Sequence, residues 1–288
     1  MTIARIVVPV TGSAGDDAAL ATAFHAAKPF GAHVEVLFVH RDPREAIPYS
    51  EMPLSPDIVQ QIVDREQERR DAASNAARRG FDAAAAALDI RVVDKVQRGP
   101  SASASYVEIT GHLGTVMATA SLLADLVVLP PIAGSDGPEI HDAFVRVLTK
   151  TGRPVLLAPE RPPRHLGRRI AIGWDGRSAA ANALLAALPL LDKAEAVEIL
   201  SVQNIPSQDR SIDDARDYLA LHGIGCSERL IDAGKRQIAD VLLDATRSND
   251  CDLLVAGGYG HSRLVESIFG GVTQSIVSHP TLPIFMVH

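Results

Sequence analysis

Glycines near the end of the chain are spaced as in a loop that binds phosphate groups. Gly257 follows a short apolar run, Gly260 comes soon after, and Gly270 and Gly271 follow a gap of nine residues. Glycine permits positive φ angles and lets the backbone approach a ligand closely. The last two glycines open a predicted helix, whose unpaired N–H groups and positive dipole end favour an anion. The spacing therefore predicts a polyphosphate cradle, with glycines that serve only a tight turn as the alternative.

Other reactive side chains form no recognisable catalytic or metal-binding pattern. His261 lies inside the glycine segment, where its imidazole either contacts phosphate or is solvated. Ser101, Ser103 and Ser105 are predicted to begin a helix as small capping residues. The sequence lacks the motifs GxxxxGKS/T, GxSxG and HExxH. We therefore predict no catalytic residue and no metal ligand, and at most slow hydrolysis of a bound nucleotide.

The composition of the 288-residue chain argues against several classes of function. A net charge of −7 and 4% aromatic residues provide neither the basic surface nor the stacking platform of a nucleic-acid-binding protein. No segment reaches the roughly 18 apolar residues that span a bilayer, so we predict no membrane partner and a cytoplasmic location. Cys226 and Cys251 are too few and too far apart for a disulfide framework or a CxxC site.

The elements that carry the glycine segment belong to an internal repeat. Four apolar runs of the first half each have a counterpart in the second: 5–10 with 169–174, 34–39 with 197–202, 125–129 with 252–256, and 153–157 with 282–286. Segments rich in alanine and leucine, with helical spacing, separate these runs. Continuous apolar strands joined by helices are typical of parallel sheets covered on both faces. We therefore predict an α/β protein of two tandem doubly wound domains, each with a parallel sheet of about five strands.

A proline-rich segment between the repeats marks the domain boundary, and Pro162 and Pro163 lie in it. The first half also carries an insertion at 41–60, whose four prolines break any regular element. This insertion leads into a long, highly charged helix around residues 57–80, which is predicted to present a solvated face. The predicted divisions are a first domain, 1–160, a linker, 161–168, and a second domain, 169–288.

The glycine segment of the second half resembles the ATP-binding motif of the universal stress protein family. The likeness lies in Gly257-x2-Gly260-x9-Gly270 and extends over both halves, so the sequence is similar to a tandem member. The resemblance implies an adenine nucleotide alpha hydrolase-like fold, with ATP or a related adenine nucleotide as ligand, with or without Mg²⁺. It implies these nucleotide contacts: Gly173, Trp174 and Asp175 near adenine and ribose, Val202 in the base pocket, and Gly257, Gly260, Gly270, Gly271 and Val272 at the phosphates.

Two features of the second half leave the nucleotide contacts open: the missing hydroxyl at Gly271 and the role of Trp174. Gly271 stands where the family has Ser or Thr, which removes a hydroxyl that donates to phosphate. Thr273 is near enough in sequence to supply a hydroxyl instead. Trp174 is the sole tryptophan, and it either stacks on the adenine or fills the end of its strand.

The first half departs further from the family pattern. Pro130 and Pro131 follow its fourth strand and withdraw N–H donors that a phosphate loop needs. Asp142 stands in the position of Gly271, where its carboxylate would repel a phosphate, and Thr11 replaces the family's Asp. We therefore predict that the first half is a degenerate copy with a structural or regulatory role.

Three functions fit the sequence. The leading hypothesis is a stress-response module whose second domain binds the nucleotide and whose conformation or partner choice responds to occupancy. One alternative is a weak ATPase or autophosphorylating protein, with Ser262 or Thr273 as the phosphate acceptor. The other is a nucleotide-free scaffold. The resemblance also implies that the two domains pair through their last strands within one chain, and it leaves a further homodimer open.

Overall fold

Strands and helices alternate along the chain in the computed structural model, which describes residues 2–48, 54–96, 99–132, 137–203, 210–258 and 280–288. The first half contains β1 (Arg5–Val10), α1 (Asp16–Ala27), β2 (His33–His40), α2 (Pro56–Ala87), β3 (Arg91–Val92), β4 (Ser103–Thr110), α3 (Leu113–Ala120), β5 (Leu126–Leu129), α4 (Gly137–Arg146) and β6 (Val155–Leu157). The second half contains β7 (Arg169–Gly173), α5 (Ser178–Leu191), β8 (Ala196–Val202), α6 (Ile212–Leu221), β9 (Ser227–Ile231), α7 (Ile238–Ser248), β10 (Leu253–Gly257) and β11 (Ile284–Val287).

The strands of the described residues form one 11-stranded sheet, in the order β3-β4-β2-β1-β5-β6-β11-β10-β7-β8-β9. Neighbouring strands are parallel except β6 and β11, the last strands of the two halves, which are antiparallel. Each half has the strand order of a doubly wound α/β fold, so the predicted fold class is confirmed. In the first half, the two-residue strand β3 adds an edge strand to the predicted five.

Helices cover both faces of this sheet, which explains why its strands are continuous apolar runs. On one face of the first half, Phe24 of α1 and Phe81 of α2 are fully buried, and their rings meet edge to face at 6.3 Å. On the other face, Met117 of α3 and Phe144 of α4 are fully buried. The core therefore lies in two layers, one on each face of the sheet. These layers fix the strands whose carboxyl ends form one edge of the sheet.

The serine run after Gly99-Pro100 forms a strand, so the predicted helix start is wrong. Ser103 and Ser105 lie in β4, and their hydroxyl groups are 2.9 and 3.0 Å from the two ring nitrogens of His33 on β2. All three side chains are buried. The pairing of β4 with β2 satisfies these polar groups, and this long-range contact overrides the local tendency of serine to cap a helix.

The long charged helix is confirmed and is longer than predicted. It runs from Pro56 to Ala87, and the hydroxyl of Ser55 accepts from Ile58 N–H at its start. Most of its residues are exposed or half-buried, as expected of a solvated helix, while Ala77, Phe81 and Ala85 face the core. The carboxyl half of the helix thus packs on the sheet, and its amino half extends over the end of β2.

Candidate functional site

The carboxyl ends of β7, β8 and β10 meet at one edge of the second half. The chain builds outward from β7 to β8 and β9 on one side, then returns to place β10 on the other side of β7. The strand order therefore reverses between β7 and β10, and open α/β sheets bind ligands in the crevice at this point. Of the predicted contacts, the structure brings Gly173, Trp174, Asp175, Val202 and Gly257 to this edge.

Trp174 fills the end of β7. Its side chain is buried, with 6% of its surface exposed. The backbone N–H donates to Leu200 O at 2.8 Å, and the indole N–H donates to Ser211 O at 3.0 Å. Ser211 caps α6, so the indole ties the end of β7 to the start of α6. Of the two alternatives for this tryptophan, its packing matches the one in which it closes the strand end.

Asp175 is half-buried in the turn between β7 and α5. Its Oδ1 accepts from Arg177 N–H at 3.0 Å, which fixes the carboxylate beside the carboxyl end of β7. The turn needs Gly176, because this residue has a φ of +74° and a Cβ there would lie 2.2 Å from Arg210 O. Gly176 was not among the predicted site residues, although a glycine directly after a strand end is a signal for such a turn.

Val202 lies at the carboxyl end of β8, opposite Ile231 of β9. It is buried in an apolar cluster that includes Ala171 and Leu242. This packing holds the end of β8 in place. The next residue, Gln203, extends the ladder between β8 and β9, because its N–H donates to Ile231 O at 2.8 Å.

Gly257 ends β10 in direct contact with the first turn of α5. A Cβ at this position would lie 2.5 Å from the carbonyl carbon of Ala179 and 2.6 Å from the backbone nitrogen of Ala180. Only glycine therefore allows β10 and α5 to pack at this distance. The next residue, Gly258, donates to Val287 O at 2.7 Å, and its carbonyl accepts from His288 Nδ1 at 3.2 Å. The glycine segment thus leaves the sheet from a fixed point beside the start of α5.

The remaining predicted contacts lie outside the described residues. These are Gly260, His261, Gly270, Gly271, Val272 and Thr273. Their roles stay predictions from the glycine spacing and from the family resemblance.

The corresponding edge of the first half is occupied by the protein's own groups. The carboxylate of Asp16 accepts from Thr11 N–H at 3.1 Å and from Gly12 N–H at 2.7 Å, and only 3% of Asp16 is exposed. Pro130 and Pro131 pack against Gly15 in the same turn. The role of Asp16 was not predicted from the sequence. An acidic residue in the first turn of a helix commonly serves only to interact favourably with the helix dipole.

Asp142, the expected source of repulsion in the first half, is paired within its own helix. Its carboxylate accepts from Arg146 Nε at 2.7 and 2.8 Å, as an i,i+4 pair on α4. The pair packs over Gly114 of α3, where a Cβ would meet the carboxylate. The charge of Asp142 is therefore partly offset, and the buried carboxylate of Asp16 is the stronger obstacle to an anion in this half.

The two cysteines of the chain lie in the part that the structure describes, and both are half-buried. Burial raises the pKa of the Cys251 thiol to about 11 and also raises that of Cys226, and the two are not bridged. A raised pKa keeps a thiol protonated and unreactive at neutral pH. Within the described parts of the chain, no three His, Cys, Asp or Glu side chains are grouped so that they could hold a metal ion. No helix there is both long and apolar enough to cross a membrane.

We expect the fluorescence of the sole tryptophan to report this packing. Because the Trp174 indole is buried and hydrogen-bonded, its emission should be blue-shifted and protected from acrylamide in the native protein. Replacing Trp174 with Phe keeps the apolar contact but leaves Ser211 O without this donor, which should cost about 1–2 kcal/mol in urea unfolding. If acrylamide quenched the fluorescence as strongly in native buffer as in urea, the buried placement of Trp174 would be contradicted.

Comparisons with known proteins bear on both halves. The sequence model of the Universal stress protein family matches residues 2–129 and 167–288. No curated protein matches the sequence. A universal stress protein from Archaeoglobus fulgidus DSM 4304 has a similar structure, with a TM-score of 0.68 and 15% identity over 98% of this chain and 97% of that chain. A functionally unknown protein from Pseudomonas aeruginosa PAO1 is also similar, with a TM-score of 0.54 and 16% identity over 99% of this chain and 92% of that chain. At such identities the likeness concerns the fold.

Proposed function

The chain belongs to the universal stress protein family, and from this membership we propose that it is a cytoplasmic stress-response protein whose second half binds ATP or a related adenine nucleotide. In this proposal the protein is a regulatory binding module rather than an enzyme. Nucleotide occupancy changes its conformation or its choice of partner. Mg²⁺ accompanies the nucleotide where a polyphosphate is bound.

The observation that carries this proposal is the position from which the glycine segment starts. Gly257 lies at the carboxyl end of β10, next to β7, where the strand order reverses. The sequence that follows has the Gly-x2-Gly-x9-Gly spacing expected of a phosphate cradle. Asp175, beside the carboxyl end of β7, is a carboxylate suited to accept from ribose hydroxyl groups.

The two halves have different roles in this proposal. The first domain, 1–160, is structural or regulatory, because Asp16 already occupies the backbone N–H groups that follow β1. The second domain, 169–288, holds the nucleotide, and 161–168 is the linker. The contact between β6 and β11 holds the domains together and takes the place of a dimer contact. Supporting it, Leu157 lies opposite Ile284 in the ladder, and Ile284 shares an apolar cluster with Phe144.

A nucleotide-free scaffold is the second candidate. Gly271 favours it, because a glycine has no hydroxyl to donate to a phosphate where the family has Ser or Thr. An enzyme is less well supported, since the sequence has no motif that would place a general base beside Ser262 or Thr273.

A thermal-shift panel separates these functions. With ATP and Mg²⁺ at about 100 times Kd, the stability of a binder rises by about 2.7 kcal/mol, which raises Tm by several degrees. Tm shifts with ADP, AMP and GTP define the nucleotide preference. Release of phosphate from ATP, or labelling of the protein with phosphate from ATP, would identify an enzyme. If no adenine nucleotide raises Tm, the binding proposal fails and the scaffold takes its place.

A further inference from the structure

A cavity of about 410 Å³ lies in the first half, at the carboxyl ends of β1 and β2. It is bounded by Phe38 and Val39 at the end of β2, by α2, and by a 3₁₀ turn, Pro43–Ala46, that belongs to the insertion. Pockets for small molecules typically measure roughly 300–1,000 Å³, so this one is large enough for a compact organic ligand. It is separate from the crevice of the second half, and its ligand does not depend on the proposed nucleotide site.

The inner wall of this cavity is closed to a phosphate chain. Thr11 lines the cavity, and its N–H donates to the buried carboxylate of Asp16. The next residue, Gly12, touches the backbone of α2, since a Cβ there would lie 2.6 Å from Ala73 O. A polyphosphate at this wall would meet both a negative charge and a helix backbone. The ligand must therefore lack a phosphate chain and must place any charged group away from this wall.

The floor of the cavity is apolar. Phe38 and Val39 border it but are already buried in the core, with 1% and 7% of their surfaces exposed, so they offer a ligand little area. Pro43, Ala46 and Ala73 add apolar surface from the 3₁₀ turn and from α2. A hydrocarbon or aromatic body that fits this floor would remove apolar area from water on binding.

Three arginines line the cavity: Arg41, Arg69 and Arg70. Arg41 pairs with Glu139 at 2.5 Å, Arg69 with Glu66 at 2.9 Å, and Arg70 with Asp71 at 2.9 Å. Each guanidinium carries five N–H donors, and these pairs use one or two of them. The pairs therefore hold the cations in place and leave donors for a ligand.

The carboxylates around the cavity are directed to protein partners. Asp42 accepts from Arg44 N–H at 2.9 Å and so caps the 3₁₀ turn. Glu45 lies 3.5 Å from His112 Nε2, and Glu66 pairs with Arg69. The arginine contacts of Asp42 and Glu66 offset these two charges locally. The planar guanidinium fork matches the two oxygens of a carboxylate.

We propose that this cavity binds a small organic acid, with its apolar body against Pro43, Ala46 and Ala73 and its carboxylate on the arginines of α2 and Arg41. The ligand carries no phosphate. The first half of the chain is then a sensor for a different class of molecule from the second half.

The test titrates the full chain with benzoate and hexanoate, using benzamide as the neutral isostere of benzoate, and inorganic phosphate and AMP as further probes. Isothermal titration should show benzoate or hexanoate binding about tenfold or more tightly than benzamide, because the amide lacks the charge that the guanidinium groups bind. Arg70→Gln should weaken acid binding about tenfold. Arg79→Gln is the matched control, since Arg79 lies on the same helix outside the cavity and should change binding less than twofold.

Four results would overturn the proposal. The first is no binding of either acid to the wild-type chain, and the second is equal affinity for benzoate and benzamide. The third is equal weakening by Arg70→Gln and Arg79→Gln, because general electrostatics would then account for the binding. A blocking variant, Ala46→Phe, fills the cavity without changing charge, and unchanged acid binding in this variant would also contradict the assigned cavity.

Discussion

The Gly257→Val variant is expected to lose about 3 kcal/mol or more of unfolding free energy. The added side chain begins 2.5 Å from the carbonyl carbon of Ala179 and 2.6 Å from the nitrogen of Ala180. Both neighbours are backbone atoms, so no rotamer change relieves the clash, and β10 must move away from α5. Urea unfolding followed by circular dichroism measures the loss.

Gly225→Val is the matched control for this substitution. A Cβ at Gly225 meets nothing within 4 Å, and the residue does not have a positive φ. Its unfolding free energy should stay within about 1 kcal/mol of the wild type, as for most surface changes. Equal stability of the two variants would show that the contact of β10 with α5 is not as close as described.

Gly270→Asp should weaken ATP binding about 100-fold or more while the fold persists. The glycine spacing predicts that Gly270 lies against a phosphate group, and like charges 4 Å apart repel by about 4 kcal/mol at an effective dielectric of 20. Gly260→Asp places a charge at the other end of the predicted cradle and should have the same effect. Isothermal titration measures the affinity, and circular dichroism checks the fold.

Asp142→Asn, in the first half, provides the control for these variants. Asp142 pairs with Arg146 on α4 in the first half, in the region proposed to hold no nucleotide. ATP affinity should therefore be unchanged. An equivalent loss of affinity in Asp142→Asn would move the nucleotide to the first half and refute the assigned site.

The fold was predictable because its signals are local and repeated. Each central strand is a continuous apolar run, and the runs recur at similar offsets in both halves. Contacts between distant segments were not predictable in this way. Ser103 and Ser105 read as helix caps because their partner, His33, is far away in the sequence.

The candidate site was predictable in part. The residues at the ends of β7 and β8 were named from the family resemblance and Gly257 from the glycine spacing, and the fold brings those strand ends together. The packing roles of Gly257 and Trp174 could not be read from the sequence, because they depend on α5 and α6. The same is true of Asp16, whose carboxylate folds back onto the turn after β1, and of the cavity between the insertion and α2.

Isothermal titration of the purified, nucleotide-free chain with ATP and Mg²⁺ tests the central claim most directly. We expect saturable binding of one nucleotide per chain, lost in Gly270→Asp and kept in Asp142→Asn. Absence of binding would contradict the claim and support a scaffold. Two nucleotides per chain would contradict the different roles of the two halves, because the first half would then bind despite Asp16.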